Sequence, residues 1–229
     1  MDKYSVIIPT LWQSKRIHTL LRDLIESDSV GDIILIDNNR EYDNHYSEPL
    51  PRVQLVQPDQ NIYVNPAWNL GVGLSKFDCI ALANDDINFN TKIFRALNSE
   101  MLLKYGFIGM GAENYKMESE QLDLNLEIWD HEVSDWGWGC LIFFHKSDWI
   151  NIPDALKIWY GDNFIKELNP APKATLRNFK VDTEMSTTSD QKDWDEVKQL
   201  DEKHYTRIKW LCINYLLGSV SLPGSPDKP

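Results

Sequence analysis

The chain has 229 residues, of which 42% are hydrophobic and 25% are charged. This length and composition fit one large globular domain with a full core, with two small domains as the alternative. Its formal net charge of −12 disfavours nucleic-acid binding, because that function needs a basic face to contact phosphates. If the ligand of so acidic a chain carries phosphates, we expect a divalent cation to help hold them.

The cysteines and the hydropathy of the chain indicate the cellular compartment in which the protein is expected. The three cysteines, Cys79, Cys140 and Cys212, form no CxxC pair, which argues against a zinc site or a disulfide framework and favours a reducing compartment. No apolar run is long enough to span a membrane, and residues 1–10 lack the features of a signal peptide. We therefore expect a cytoplasmic protein without a transmembrane segment.

The first hundred residues alternate between apolar runs and amphipathic segments. Short apolar runs predict strands at residues 4–9, 32–37, 53–56 and 80–83. Helical spacing predicts one helix through residues 17–25, a second that starts at Asn65 and Pro66, and a third that starts at Thr91 and carries Met101. This order is typical of an open, mostly parallel sheet with helices on both faces.

Polar side chains follow three of these strands, at the edge where ligands bind in such sheets. Thr10 follows the first strand, Asp37-Asn38-Asn39 ends the second, and Asn84-Asp85-Asp86 ends the fourth. The carboxylates of the last triplet suit a hard divalent cation that bridges to a diphosphate, and the second triplet could bind a nucleobase or a ribose. Both triplets also contain common turn formers, so an ordinary turn is the alternative for each.

The second half carries a less regular pattern. An alternation from Leu122 to Ile128 predicts a half-buried strand, residues 140–144 predict a buried strand, and residues 160–168 predict a turn into a helix. Polar residues 169–193 predict long loops, and an apolar stripe from Trp194 to Tyr215 predicts a terminal helix that ends at Gly218. Residues 219–229, rich in Pro, Ser and Gly, predict a disordered tail, either a cloning remnant or the start of a linker to another domain.

Two segments of this half carry candidate functional residues. Trp136 and Trp138 alternate with glycines just before a strand, where their rings could stack on a sugar or could belong to a core cluster. Asp162 follows the apolar Trp159-Tyr160-Gly161, and partial burial there would favour a general base. A helix N-cap is the alternative for Asp162, because Asp caps helices well.

Taken together, the motifs resemble those of family 2-type glycosyltransferases with the GT-A fold. The matching segments are the first strand (5–10), the second strand with its base-binding Asp (33–39), the segment before the metal strand (Asn61 and 66–71), the DxD-type metal motif (81–86), the start of the acceptor-side strand (138–140) and the motif of the catalytic base (159–162). The resemblance covers about residues 4–168 and keeps the order of the motifs.

The resemblance implies a set of site residues. The nucleotide sugar is expected against Thr10, Asp37, Asn38, Asn61, Asn69 and Asp85. Mn²⁺ or Mg²⁺ is expected on Asp85 and Asp86, the acceptor against Trp136, Trp138 and Gly139, and the catalytic base at Asp162. The chain departs from the family pattern at Asn84, which replaces the first Asp of the metal motif, and in lacking a clear histidine after Asp162 as a further metal ligand, where Asp182 and Glu184 could substitute.

We therefore predict a single α/β domain with the GT-A (Rossmann-like) fold over residues 1–218, with a nucleotide-sugar half at about 1–105 and an acceptor half at 106–218. The expected reaction is the metal-assisted, inverting transfer of a sugar, such as a hexose, from a nucleoside diphosphate sugar to a hydroxyl of a glycan or another acceptor, with a UDP-sugar as the foremost donor. Two alternatives are a nucleotidyltransferase, against which the glycine-free loop 11–16 argues, and a non-catalytic nucleotide- or sugar-binding module.

Overall fold

The computed structural model describes residues 2–119, 124–129, 136–184 and 194–216. In the first half, the strands are β1 (Tyr4–Thr10), β2 (Val30–Asp37), β3 (Val53–Val56), β4 (Cys79–Ala83), β5 (Ile87–Phe89) and β6 (Phe107–Met110). The helices are α1 (Arg16–Glu26), α2 (Tyr42–His45), α3 (Val64–Leu74), α4 (Ile93–Ala96) and α5 (Ser99–Tyr105). The predicted strands and the first two predicted helices are confirmed here, with ends that shift by a residue or two.

The second half adds the strands β7 (Asn125–Ile128), β8 (Leu141–His145), β9 (Lys173–Arg177) and β10 (Val181–Thr183). Its helices are α6 (Gly161–Leu168) and the long α7 (Asp195–Leu216). Short 3-10 turns occupy Ala112–Lys116, Trp138–Cys140 and Lys146–Asp148.

Eight strands form one sheet in the order β3-β2-β1-β4-β8-β6-β9-β7. The neighbours pair in parallel except at β8, which is antiparallel to β4 and β6, and at β7, which is antiparallel to β9. Six strands therefore share one direction, and β5 and β10 form a separate antiparallel pair. This mostly parallel mixed sheet, in a single α/β domain, confirms the predicted fold class.

Both faces of the central strands of the sheet are buried, as their mostly apolar sequences predict. Every residue of β1 is buried, and its side chains alternate between the two faces. Val6 and Ile8 pack in the core that includes Leu20 of α1, whereas Ile7 packs in the opposite core with Trp68 of α3. Helices on both sides thus leave the ends of the strands as the accessible part of the sheet.

The helix predicted from Thr91 through Met101 is wrong as a single element. Helix α4 ends at Ala96, and Asn98 starts α5 by accepting a hydrogen bond from the backbone N–H of Met101 at 2.9 Å. An Asn in this capping position stabilises a new helix start, so the apolar spacing continues across two helices.

The long loops predicted for residues 169–193 are also wrong in part. Strand β9 lies inside the sheet between β6 and β7, with Ala174 and Leu176 buried. Its two hydrogen-bonded neighbours stabilise a strand whose own sequence is only weakly apolar. Strand β10 pairs with β5, an element that the sequence interpretation missed.

Parts of the remaining predictions lie outside the described residues, namely Leu122, Gly218 and the tail 219–229. Helix α7 confirms the predicted terminal helix over the residues that are described. Within that part of the chain, no helix is long and apolar enough to cross a membrane. The predicted nucleotide-sugar and acceptor halves share one sheet, joined where β4 pairs with β8.

Candidate active site

A cavity of about 490 Å³ opens at the edge of the sheet where β1 and β4 end and β8 begins. Its volume lies within the range of about 300–1,000 Å³ that is typical of small-molecule sites. Predicted site residues that line it are Thr10, Asn38, Asn61, Asp85, Asp86, Trp136, Gly139 and Asp162. The structure thus brings the end of the predicted metal motif and the candidate base to one cavity.

Thr10 and Asp85 join the ends of two neighbouring strands. The hydroxyl of Thr10 donates to Oδ2 of Asp85 at 2.6 Å and accepts from the backbone N–H of Trp12 at 2.8 Å. The pKa of the Asp85 carboxyl is raised to about 6. Burial and the negative charge of Asp86 raise this pKa, and the hydrogen bond from Thr10 opposes them. The interacting negative charges of Asp85 and Asp86 favour a cation as a neighbour.

The donor set at the end of β4 suits a hard divalent cation. Asn84, Asp85 and Asp86 all line the cavity and offer oxygen atoms, and Asp86 is buried. No group of three or more His, Cys, Asp or Glu side chains that could hold a metal occurs among residues 2–119, 124–129, 136–184 and 194–216. Mg²⁺ and similar ions often use one or two carboxylates and take their other oxygens from phosphates and water, so these residues fit such an ion together with a diphosphate.

The two substitutes considered for a further metal ligand lie elsewhere. The carboxylate of Glu184 accepts a hydrogen bond from the hydroxyl of Ser14 at 2.8 Å and pairs with Arg16. Only its backbone N–H contacts the metal motif, by donating to the carbonyl of Asp86 at 3.2 Å. Asp182 is exposed and pairs with Lys180 at 3.3 Å. Neither carboxylate lines the cavity, so the structure does not support either as a ligand.

Asp37 does not reach the cavity, which corrects its expected contact with the base. Its carboxylate is fully buried and accepts four hydrogen bonds at 2.8–3.1 Å, from Trp12 Nε1, Asn39 N, Tyr42 N and Gln57 Nε2. Burial by itself would raise the pKa of Asp37, but the hydrogen bonds outweigh that effect and lower it. Asp37 therefore organises the loop after β2, and Asn38 is the residue of its triplet that lines the cavity.

The three asparagines assigned to the nucleotide separate into two roles. Asn38 and Asn61 line the cavity, and each uses its side-chain oxygen to accept a nearby backbone N–H, from Ile62 at 3.1 Å and Tyr63 at 2.8 Å respectively. Asn69 lies away from the cavity and forms two hydrogen bonds with the backbone of Ile152, at 2.7 and 2.9 Å. The expected nucleotide contact of Asn69 is therefore wrong, since its amide joins α3 to the segment after β8.

Asp162 faces the cavity from the first turn of α6. The N-cap position belongs to Tyr160, which has a left-handed backbone with φ of 65°, so Asp162 is not the cap of this helix. Its carboxylate lies 3.4 Å from the ammonium of Lys166, one turn further along. A Cβ atom added to Gly139 would lie 2.8 Å from the Cβ of Asp162, so only glycine leaves room for this carboxylate.

Trp138 is a core residue, which corrects its expected role as a sugar-stacking platform. Its side chain has 0% exposure, and its indole N–H donates to the carbonyl of Ala174 at 3.2 Å. Gly109 of β6 makes room for the ring, because a Cβ there would lie 2.2 Å from it. Lys166 lies over the same ring, 5.6 Å from its centroid, so Trp138 supports the lysine that pairs with Asp162.

Trp136 differs from Trp138, since it is 54% exposed and lines the cavity. Further aromatic side chains that the sequence interpretation did not assign to the site also line it, namely Tyr63, Trp68, Trp159, Tyr160 and Trp194. Trp194, just before α7, packs edge-on against Tyr63 with ring centroids 5.6 Å apart. The high tryptophan count was the available signal, but the pairing of residues so distant in sequence was not visible in it.

Comparison with solved structures identifies the fold as GT-A. The chain is similar to TarS 1-349 from S. aureus, alone and in complex with UDP, with a TM-score of 0.54, 15% identity and 76% of this chain covered. It is also similar to GalNAc-T7, solved with UDP, GalNAc and Mn²⁺, with a TM-score of 0.58, 10% identity and 80% of this chain covered. At these identities the likeness is one of fold, and it confirms the GT-A fold predicted from the sequence.

The chain spans 57% of the length of TarS 1-349 and 43% of that of GalNAc-T7. No family model matches the sequence, and no curated protein does so either.

Proposed function

We propose that the protein is a glycosyltransferase that moves a sugar from a nucleoside diphosphate sugar, foremost a UDP-sugar, to a hydroxyl of a glycan or another acceptor. The acceptor oxygen forms the new bond to the anomeric carbon, and the bond from that carbon to the diphosphate breaks with its electron pair on the diphosphate. Asp162 takes the acceptor proton. Attack from the face opposite the leaving group inverts the anomeric centre.

The observation that carries this proposal is the shared cavity of the acidic strand end and Asp162. Asp85 and Asp86 would hold Mn²⁺ or Mg²⁺, which neutralises charge on the departing diphosphate when it is bound. Thr10 orients Asp85 through its hydrogen bond. Asp162 belongs to the first turn of α6, on a rigid element, which suits a base that must hold a fixed position.

The solved structures of similar fold support the choice of ligands. TarS was solved with UDP, and GalNAc-T7 with UDP, GalNAc and Mn²⁺. Asn38 and Asn61 are the polar side chains next to the strand ends that are suited to contact the nucleoside. A cytoplasmic role in glycan biosynthesis is part of the same proposal.

The loop after β1 argues against the nucleotidyltransferase alternative. Trp12 fills this loop, with its ring stacked on His45 at a centroid distance of 4.4 Å and its indole N–H bound to Asp37. A phosphate-binding loop instead presents free backbone N–H groups to its ligand. The non-catalytic binding module remains as the alternative that an activity assay decides.

The test is a panel of nucleotide sugars with a panel of saccharide acceptors, assayed for nucleoside diphosphate release with Mn²⁺, with Mg²⁺ and with a chelator. We expect acceptor-dependent release from one class of donor that requires the cation. Binding of nucleoside diphosphate without turnover on any donor would favour the binding module. Release of pyrophosphate from a nucleoside triphosphate and a sugar phosphate would favour the nucleotidyltransferase.

A further inference from the structure

Asp201 of α7 has a carboxylate that binds three consecutive backbone amides. Its Oδ1 accepts from the N–H of Lys157 at 2.9 Å, and its Oδ2 accepts from the N–H groups of Ile158 and Trp159 at 2.8 and 3.0 Å. The residue is 1% exposed, so these charge-assisted hydrogen bonds form away from bulk water. A buried carboxylate with three donors fixes the conformation of the segment that carries them.

The segment held by Asp201 leads directly to the proposed base. Ile158, Trp159 and Tyr160 line the cavity, and Asp162 follows in the first turn of α6. The other side of the segment is bound to α3, because the amide of Asn65 donates to the carbonyl of Trp159 at 3.2 Å. Residues 157–160 are thus held between α3 and α7, and they form the cavity wall next to Asp162.

Helix α7 contacts the same region at further points. Tyr205 stacks on Tyr160 with ring centroids 5.0 Å apart and an angle of 14° between the rings. Lys209 forms an ion pair with Glu167 at the end of α6. These contacts place α7 along the outer side of the wall, with Asp201 as its polar attachment.

We infer that Asp201 is a positioning residue that orders the wall 157–160 and thereby sets where Trp159 and Asp162 stand in the cavity. The inference rests on the proposed function, because only that function identifies this wall as the acceptor side of the site. Asp201 does not line the cavity, so it acts through the backbone and not by contact with a substrate. The strand-end side, with Thr10, Asp85 and Asp86, is built on β1 and β4 and has no contact with Asp201 in the hydrogen bonds of the described residues.

The test compares Asp201→Asn with Glu202→Gln, which removes an exposed carboxylate from the next position of the same helix. In Asp201→Asn an amide N–H₂ group replaces one acceptor oxygen and opposes an N–H donor. We expect kcat/KM for the acceptor to fall by at least about tenfold, the usual scale for a lost charged hydrogen bond. The dissociation constant of UDP should change by less than about twofold, as for sites that do not interact. Glu202→Gln should match the wild type in both.

Hydrogen exchange provides a readout that does not depend on activity. The amides of residues 157–159 should exchange at least about tenfold faster in Asp201→Asn, while the amides of α7 keep their protection. Unchanged exchange at 157–159, or equal losses of UDP affinity and acceptor kcat/KM, would overturn the inference. Should Asp201→Asn fail to fold, Asp201→Glu keeps the charge but displaces it by one methylene, and the same local exchange increase is expected there.

Failure of the proposed function gives a different pattern. A wild-type protein that transfers no sugar contradicts the transferase proposal alone. Faster exchange confined to the wall would then still support Asp201 as the residue that orders it, and exchange that rises evenly over the domain would count against it.

Discussion

The hydroxyl of Thr10 connects two strand ends, because it donates to Asp85 after β4 and accepts from the N–H of Trp12 after β1. Thr10→Val removes both hydrogen bonds but keeps the shape of the side chain. We expect a loss of about 1–3 kcal/mol in the free energy of unfolding and weaker binding of nucleoside diphosphate in the presence of Mn²⁺. Denaturant titration and calorimetry measure the two effects. Thr10→Ser retains the hydroxyl and should lie close to the wild type, and equal effects in both variants would show that the hydroxyl is unimportant.

Asp86 is the strongest candidate for a metal ligand. Asp86→Ala should abolish the Mn²⁺- or Mg²⁺-dependent activity, and the cation should strengthen UDP binding much less than in the wild type, because one of the two carboxylates proposed to hold the ion is gone. Calorimetric titration of UDP in Mn²⁺ and in chelator measures the second effect. Asp182→Asn is the matched control, since Asp182 is an exposed acid outside the cavity. Normal cation dependence in Asp86→Ala would place the metal elsewhere.

Asp162→Asn tests the base while preserving the size of the side chain. We expect kcat to fall by roughly 10²-fold or more, because the amide of Asn cannot take up the proton of the acceptor hydroxyl. The affinity for UDP should stay nearly intact. The melting temperature should change little, since Tyr160 and not Asp162 occupies the N-cap of α6. Asp154→Asn, an exposed carboxylate away from the cavity, is the control. A near-normal rate in Asp162→Asn would assign the base to another residue.

The two tryptophans of the 136–138 segment should behave in opposite ways. Trp138→Ala should cost about 3–5 kcal/mol of folding free energy, because it empties a fully buried site and removes the bond to Ala174. Trp136→Ala should leave stability close to that of the wild type and raise the acceptor KM more than the donor KM, since its exposed ring lines the cavity. Thermal unfolding and two-substrate kinetics separate these effects, and an unchanged acceptor KM in Trp136→Ala would remove Trp136 from the acceptor site.

The thiol of Cys79 should make stability depend on alkaline pH. Burial raises its pKa from 9.0 to about 11, and the charge of Asp2 adds to the effect. The folded state keeps a proton that the unfolded state loses, so this contribution to stability is complete below pH 9 and declines as the pH rises toward 11. The difference between the urea midpoints at about pH 7.5 and about pH 10.5 should therefore be smaller in Cys79→Ala than in the wild type. Equal shifts in both proteins would mean that Cys79 does not contribute.

The parallel part of the fold could be predicted from the sequence because its strands are buried on both faces. β1, β2 and β4 are mostly apolar and almost entirely buried, and polar residues end or follow each of them at the ligand edge. β9 was not predictable in the same way, because Lys173 and Arg177 flank a core of only three buried residues. Its strand conformation depends on the neighbours β6 and β7, which no local pattern contains.

The candidate site shows the same division. Asp85, Asp86 and Asp162, the residues that the motifs suggest for the site, line one cavity, because strand ends and helix starts follow from local sequence. Their roles stay a prediction. Trp138 could not be assigned, since its burial depends on the missing side chain of Gly109 on another strand. Asp37 matched a motif, but whether a carboxylate turns toward a ligand or toward its own loop depends on the donors that surround it, here Gln57 and the backbone of Tyr42 among them.

The continuous pairing of β4 with β8 restricts how the cavity can open. Five residue pairs, from Cys79 and His145 to Ala83 and Leu141, hydrogen-bond the two halves of the domain into one sheet. A hinge between the halves would have to break this ladder in the middle of the core, where its side chains are almost all buried. The two sides of the cavity are therefore joined at their base by adjacent, hydrogen-bonded strands, whose usual spacing is about 4.8 Å.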